Sequence, residues 1–136
     1  MDKPLFQRIF SIKQKCSSRE EAIRRDLGVN HSEFHALLSL TLETAVQGNV
    51  LAERMSLSPS RASRVVSKLL EKNFIQTEYH PHDRRSQFIR LTESGQEMKE
   101  AIESRLQLCE RRILDKYSDQ DVRVIKWALG LLDDAL

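Results

Sequence analysis

The chain has 136 residues, of which 40% are hydrophobic, 31% charged and 6% aromatic, a length that suits one compact domain rather than two independent cores. Twenty-two basic against twenty acidic residues leave a net charge of +2, so the chain is neither a histone-like polycation nor an acidic tail. Four glycines and three prolines exclude collagen-like, linker-rich and turn-dense all-β folds, and the abundance of Leu, Glu, Arg and Lys favours helices.

Leu5, Ile9, Ile12, Cys16, Ile23 and Leu27 form one apolar stripe and predict a first helix that ends at Gly28. Asn30 or Ser32 can cap a second helix, with Phe34, Leu37, Leu38 and Leu42 on its buried side and Gly48 breaking it. A short third helix is expected over Val50–Met55. Ser58 then caps a fourth, with Pro59 at its first position, running to about Lys72. Asn73 follows where a left-handed residue would close that helix, a conformation asparagine tolerates better than most.

The period then changes. Phe74–Tyr79 and Gln87–Leu91 predict a two-stranded ribbon joined by the basic loop His80–Ser86, in which Pro81 and Asp83 are turn formers. Thr92 caps a long helix whose stripe is Met98, Ile102, Leu106, Cys109 and Ile113. Asp119 can cap a last one with Val122, Ile125, Leu129, Leu132 and Leu136 on one side. The expected fold is mostly α with a small two-stranded β-wing. Residues 30–92 form a lobe able to close its own core, flanked by a helix over 1–29 and helices over 93–136. The outer stripes are longer than so small a core can cover, so the chain ends are expected to pack on a second copy as a two-fold dimer; packing on each other is the alternative.

Residues 50–72 read as helix, tight turn, helix. On the second helix Ala62, Val65, Val66, Leu69 and Leu70 are expected in the core, which leaves Ser60, Arg61, Arg64, Ser67 and Lys68 together on the other side. Small hydroxyl residues allow close approach to a groove floor, while arginines reach phosphates or guanine edges. Free amides at Ser60 and Arg61 would attract phosphate. Between Arg54 and Arg90 lie eight basic and three acidic residues, a local charge of +5, so the remainder carries −3. Such gathering of positive charge is the footprint of a polyanion site. At the ribbon tip, Arg84 and Arg85 follow Asp83, whose carboxylate could hold the Arg85 guanidinium in a fixed pose for a minor groove. An ordinary solvated helix face and a mobile hairpin are the plain alternatives.

The run LAERMSLSPSRASRVVSKLLEKNFIQTEYHPHDRRSQFIRLTESG resembles the winged helix-turn-helix of MarR-type (multiple antibiotic resistance regulator) transcription factors. The resemblance rests on LAERM, LSPS, LLEKNFI, DRRS at the wing tip and LTESG at the long helix. It implies a homodimer that binds a roughly palindromic double-stranded operator as a repressor relieved by a ligand or an oxidant. By position it implies DNA contacts from the helix starting at Ser58, through Ser60, Arg61, Arg64, Ser67 and Lys68. It further implies Arg85 in the minor groove, Asp83 orienting it and Arg84 on phosphate. Asn73 departs from the usual glycine. A small aromatic effector is the family expectation, with no pocket residue indicated by the sequence.

Two sensing alternatives arise. Cys16, within the apolar stripe and near Lys13, Lys15 and Arg19, invites a redox reading, but no tyrosine in the first two helices stands ready as a partner, and burial as a structural cysteine is the expectation. His31 and His35, four apart on one helix face, have a metal-sharing spacing, and His80 and His82 flank Pro81. Neither pair has further ligands close in sequence, so no metal and no cofactor are expected. A P-loop, HExxH, GxSxG and coenzyme fingerprint are all lacking, which argues against an enzyme. A winged-helix module for protein interaction is a further alternative. No apolar run approaches a membrane span and residues 1–15 lack a signal-peptide core, so no membrane association and a cytoplasmic location are expected.

Overall fold

In the computed structural model the described residues are 2–136, except that the side chains of His80, Asp83, Arg84 and Arg85 lie outside them. The elements in order are α1 (Leu5–Leu27), α2 (His31–Ser39), β1 (Val46–Gln47), α3 (Gly48–Arg54) and α4 (Pro59–Glu71). β2 (Ile75–His80), β3 (Asp83–Leu91), α5 (Glu93–Lys116) and α6 (Asp119–Ala135) follow. The chain divides into two compact units, Met1–Ile102 and Glu103–Leu136.

In the first unit α1 ends where expected, at Gly28, which is left-handed with φ of 72°. Asn30, not Ser32, caps α2: its side chain accepts from the Glu33 amide at 2.8 Å, while the Glu33 carboxylate accepts from the Asn30 amide at 3.0 Å. This reciprocal box satisfies two amides that a helix start otherwise leaves bare. α2 stops at Ser39 instead of running on through Leu42, and Gly48 opens α3 rather than breaking α2. The intervening residues supply β1, which the sequence reading lacked. The wing is consequently one edge of a three-stranded antiparallel sheet in the order β1-β3-β2, with Val46 opposite Ile89 and Ile75 opposite Leu91.

Residues from every part of this unit meet in one core. Ile23 of α1, Leu37 of α2, Leu51 of α3, Leu69 of α4, Ile75, Ile89 and Leu91 of the sheet and Ile102 of α5 are all buried. Each such side chain removed from water contributes about 1.5–3 kcal/mol. Leu70, expected in this core, is instead 40% exposed, because α4 turns it one step beyond the Val66–Leu69 edge.

The second unit contains the distal part of α5 and α6. Ser118, rather than Asp119, caps α6: its hydroxyl accepts from the Asp121 amide at 3.1 Å, and Asp119 is the first helical residue. No residue of α6 is buried, and Leu108, Ile113, Leu114, Trp127 and Leu131 are exposed. At the start of α1, Leu5, Phe6, Phe10 and Ile12 are exposed as well. Among the described residues no helix is long and apolar enough to cross a membrane.

Candidate nucleic-acid interface

The turn between α3 and α4 is built from backbone bonds. The amides of Met55, Ser56 and Leu57 donate to the carbonyls of Leu51, Glu53 and Ala52 at 2.9–3.0 Å, and Ser56 takes a left-handed φ of 53°. Ser58 then caps α4, its hydroxyl accepting from the Arg61 amide at 3.3 Å and also lying 3.3 Å from the Ser60 hydroxyl. The Arg61 amide is thus already engaged, and of the two amides expected to be free for phosphate only that of Ser60 escapes the cap. Pro59 at the first helical position has no amide to satisfy.

α4 divides cleanly into two faces. Ala62, Val65, Val66 and Leu69 are buried, while Ser60, Arg61, Arg64, Ser67 and Lys68 are exposed on the other side, as their spacing predicts. Ser63 is exposed too. Its offsets of three from Ser60 and four from Ser67 were the signal for including it, and the sequence reading passed over it. Arg61 and Arg64 make no ion pair among the described residues, whereas Lys68 stands 3.6 Å from Glu71 on the same surface.

Not every cation of the basic stretch serves that surface. Lys72 turns away from it: its ammonium lies 2.7 Å from one oxygen of buried Glu33 and 2.9 Å from the other, and donates to the Gly28 carbonyl at 3.2 Å. Arg54 donates to the Ser39 carbonyl at 3.0 Å, and Arg90 lies 3.7 Å from Glu78. Lys72 and Arg54 are thus engaged within the lobe, so the charge available to a polyanion is smaller than the count along the sequence suggests.

Beyond α4, Asn73 adopts φ of 61°, the left-handed closure its position predicts, and the Phe74 amide reaches back to the Leu69 carbonyl at 3.0 Å. The strands are longer than expected. β2 and β3 continue to His80 and Asp83, leaving Pro81 and His82 as the turn in place of a loop over 80–86. Pairing jumps from Tyr79 opposite Gln87 to His80 opposite Asp83, so one step along β2 corresponds to four along β3. The expected roles of Asp83, Arg84 and Arg85 concern side chains outside the described residues. At the base of the wing, Thr92 donates its hydroxyl to the Asn73 carbonyl at 2.7 Å and accepts from the Gly95 amide at 3.0 Å.

Two sensor expectations change. Cys16 is exposed rather than buried, and Cys109 is partly exposed. His31 and His35 do have a third polar partner, Glu20 of α1, 11 and 15 residues earlier in the chain.

Residues 29–87 match the sequence profile of the MarR family. An uncharacterized HTH-type transcriptional regulator of Mycobacterium leprae is 31% identical over 93 residues, 68% of this chain and 65% of the relative, so the chain spans just under two thirds of that protein. Another, from Mycobacterium bovis, is 31% identical over 96 residues, 69% of this chain and 67% of the relative. Among solved structures, S. aureus MepR in complex with DNA superposes with a TM-score of 0.82 at 18% identity, covering 99% of this chain and 100% of that one. Wild-type MarR from E. coli in its apo form gives 0.76 at 18% identity, covering 97% and 98%. The fold is the winged helix of these regulators, and the chain belongs to the MarR family.

Proposed function

We propose that the chain is a dimeric, sequence-specific DNA-binding transcriptional regulator, a repressor of the MarR type relieved by a small-molecule effector. The observation that carries this reading is the outer face of α4, where Ser60, Arg61, Arg64, Ser67 and Lys68 are all exposed and neither arginine is neutralised by a carboxylate among the described residues. The solved complex of S. aureus MepR with DNA supports it through the shared fold. In this reading Arg61, Arg64 and Lys68 contact phosphates or guanine edges, the serines let the backbone approach, and Ser58 fixes the start of the helix. Arg85 enters the minor groove, with Asp83 orienting it and Arg84 on phosphate.

Dimerisation rests on a different observation. Phe6 and Phe10 of α1 and Leu108, Leu114, Trp127 and Leu131 of the distal helices expose more apolar surface than a stable monomer usually leaves in water. Two copies joined through the chain ends would present two α4 helices to one duplex, at half-sites about 34 Å apart. An effector that binds better to a pair with different spacing would loosen the complex by that difference in affinity.

Selection of bound sequences from random duplex DNA, followed by affinity measurement across salt, tests the reading. A regulator yields a roughly palindromic consensus and affinity that falls steeply with salt, whereas a protein-interaction module yields neither. The solution mass tests the dimer separately.

A further inference from the structure

We infer that Glu20, His31 and His35 form a binding site for a divalent first-row transition-metal ion, with zinc as its natural probe, that fastens α1 to α2. The three residues converge from two helices of one compact unit. The His31 Nδ1 lies 3.0 Å from the Glu20 Oε2 and the His35 Nε2 lies 2.5 Å from the Oε1, and the three ligand atoms fall within 4.8 Å of one another. Ligands of a tetrahedral zinc ion, at bond lengths near 2.0–2.1 Å, stand about 3.3 Å apart, so side-chain adjustments of about an ångström bring the three ligand atoms around an ion. The four-residue spacing on α2 puts both rings on one side, with centroids 4.4 Å apart.

The surroundings hold the ligands while leaving a way in. The Glu20 side chain is only 18% exposed and its Oε2 lies 3.5 Å from the Arg24 Nε, one turn along α1. The His35 ring packs edge-on against Phe34 at 5.1 Å, and the Asn30 capping box fixes the start of α2, where His31 stands. His31 and His35 are 67% and 45% exposed, and a cleft of about 310 Å³ lined by both rings, Ser39 and Arg54 gives room for a water or small anion as fourth ligand. Burial pushes the Glu20 carboxyl up, while the hydrogen bonds and charge of the two histidines outweigh it and hold the group below the usual carboxylate range.

Two imidazoles and one carboxylate suit zinc, cobalt, nickel or copper(II), and do not suit calcium or magnesium, which prefer oxygen cages. On binding, each ring nitrogen facing Glu20 gives its lone pair to the metal. A proton it carried leaves for solvent or moves to the other nitrogen of the same ring. Arg24 and the nearby Arg54 temper the affinity, and three protein ligands with an open fourth position make the ion exchangeable.

The inference stands independently of DNA binding and is tested without DNA. The full chain, stripped with a chelator, is titrated with zinc by calorimetry and with cobalt by visible absorption, alongside E20Q, H31Q, H35Q, H82Q and C16S. One ion per chain is expected, with a four- or five-coordinate cobalt spectrum. E20Q, H31Q and H35Q should each weaken binding about tenfold or more, while H82Q and C16S leave it unchanged. Because His31 is largely exposed, H31Q keeps the fold even where E20Q does not. Absence of zinc binding, binding indifferent to H31Q and H35Q, or binding that disappears with H82Q or C16S would each overturn the assignment.

Discussion

Gly95 lies so close beneath the Phe74 carbonyl that a Cβ there would stand 1.9 Å from the oxygen and 2.9 Å from the carbon. The glycine is therefore required by contact rather than by backbone angle: the first turn of α5 passes directly against the entry to β2. Gly95→Ala must push apart two backbone segments, which flexible side chains cannot absorb, and is expected to destabilise the fold by about 3 kcal/mol or more. Urea unfolding of the variant measures this directly, and a loss under 1 kcal/mol would show that the segments part easily.

Asn73 offers a gentler test at the other side of the same junction. Its φ of 61° is tolerable for asparagine and costly for a side chain that lacks the local polar compensation. Asn73→Ala should cost about 1 kcal/mol, whereas Asn73→Gly should stay within about 0.5 kcal/mol of the parent, strain relief being offset by a freer unfolded chain. Equal midpoints for the two variants in thermal unfolding would contradict the left-handed closure.

Lys72 and Arg64 separate stability from binding. Lys72→Ala leaves Glu33, which is 2% exposed, without its cation and should cost about 1–2 kcal/mol, partly screened because the lysine side chain itself is 39% exposed. Its ammonium faces away from the α4 surface, so the salt dependence of DNA binding should not change.

Arg64→Ala is expected to do the reverse. Unfolding should shift by less than about 0.5 kcal/mol, since the side chain is exposed and unpaired among the described residues. Specific binding should weaken by about 1–3 kcal/mol, with the slope of log affinity on log salt falling by about one if the contact is to phosphate. An unaltered affinity in a filter or fluorescence titration would remove α4 from the reading surface.

Most of the lobe was legible in the sequence because its signals are local. A hydroxyl or amide before an apolar repeat caps a helix, and Asn73 and Thr92 mark their own corners, so α1, α4 and the start of α5 fall where periodicity puts them. β1 was not legible. Two residues carry no period, and Val46 and Gln47 become a strand only because β3 offers them an edge. The wing turn is shorter than the sequence predicts for a related reason: strand pairing carries on past the last apolar residue to Asp83. Leu70 shows that an apolar residue near a stripe need not lie under it. Of the candidate interface, spacing gave the α4 surface nearly whole, but not the diversion of Lys72 and Arg54 into internal bonds. Glu20 was out of reach as well, since its partners lie on the next helix and no spacing rule links them.

The single hydroxyl of Thr92 joins the carbonyl that ends the α4 corner to an amide in the first turn of α5, and further along, Lys99 donates to the Leu40 carbonyl at 2.7 Å while Ile102 is fully buried. Three successive turns of α5 are thereby tied to the lobe, sharing its hydrogen bonds and its core as far as Ile102. Loss of any one of these ties would still leave the others to keep the proximal part of α5 on the core.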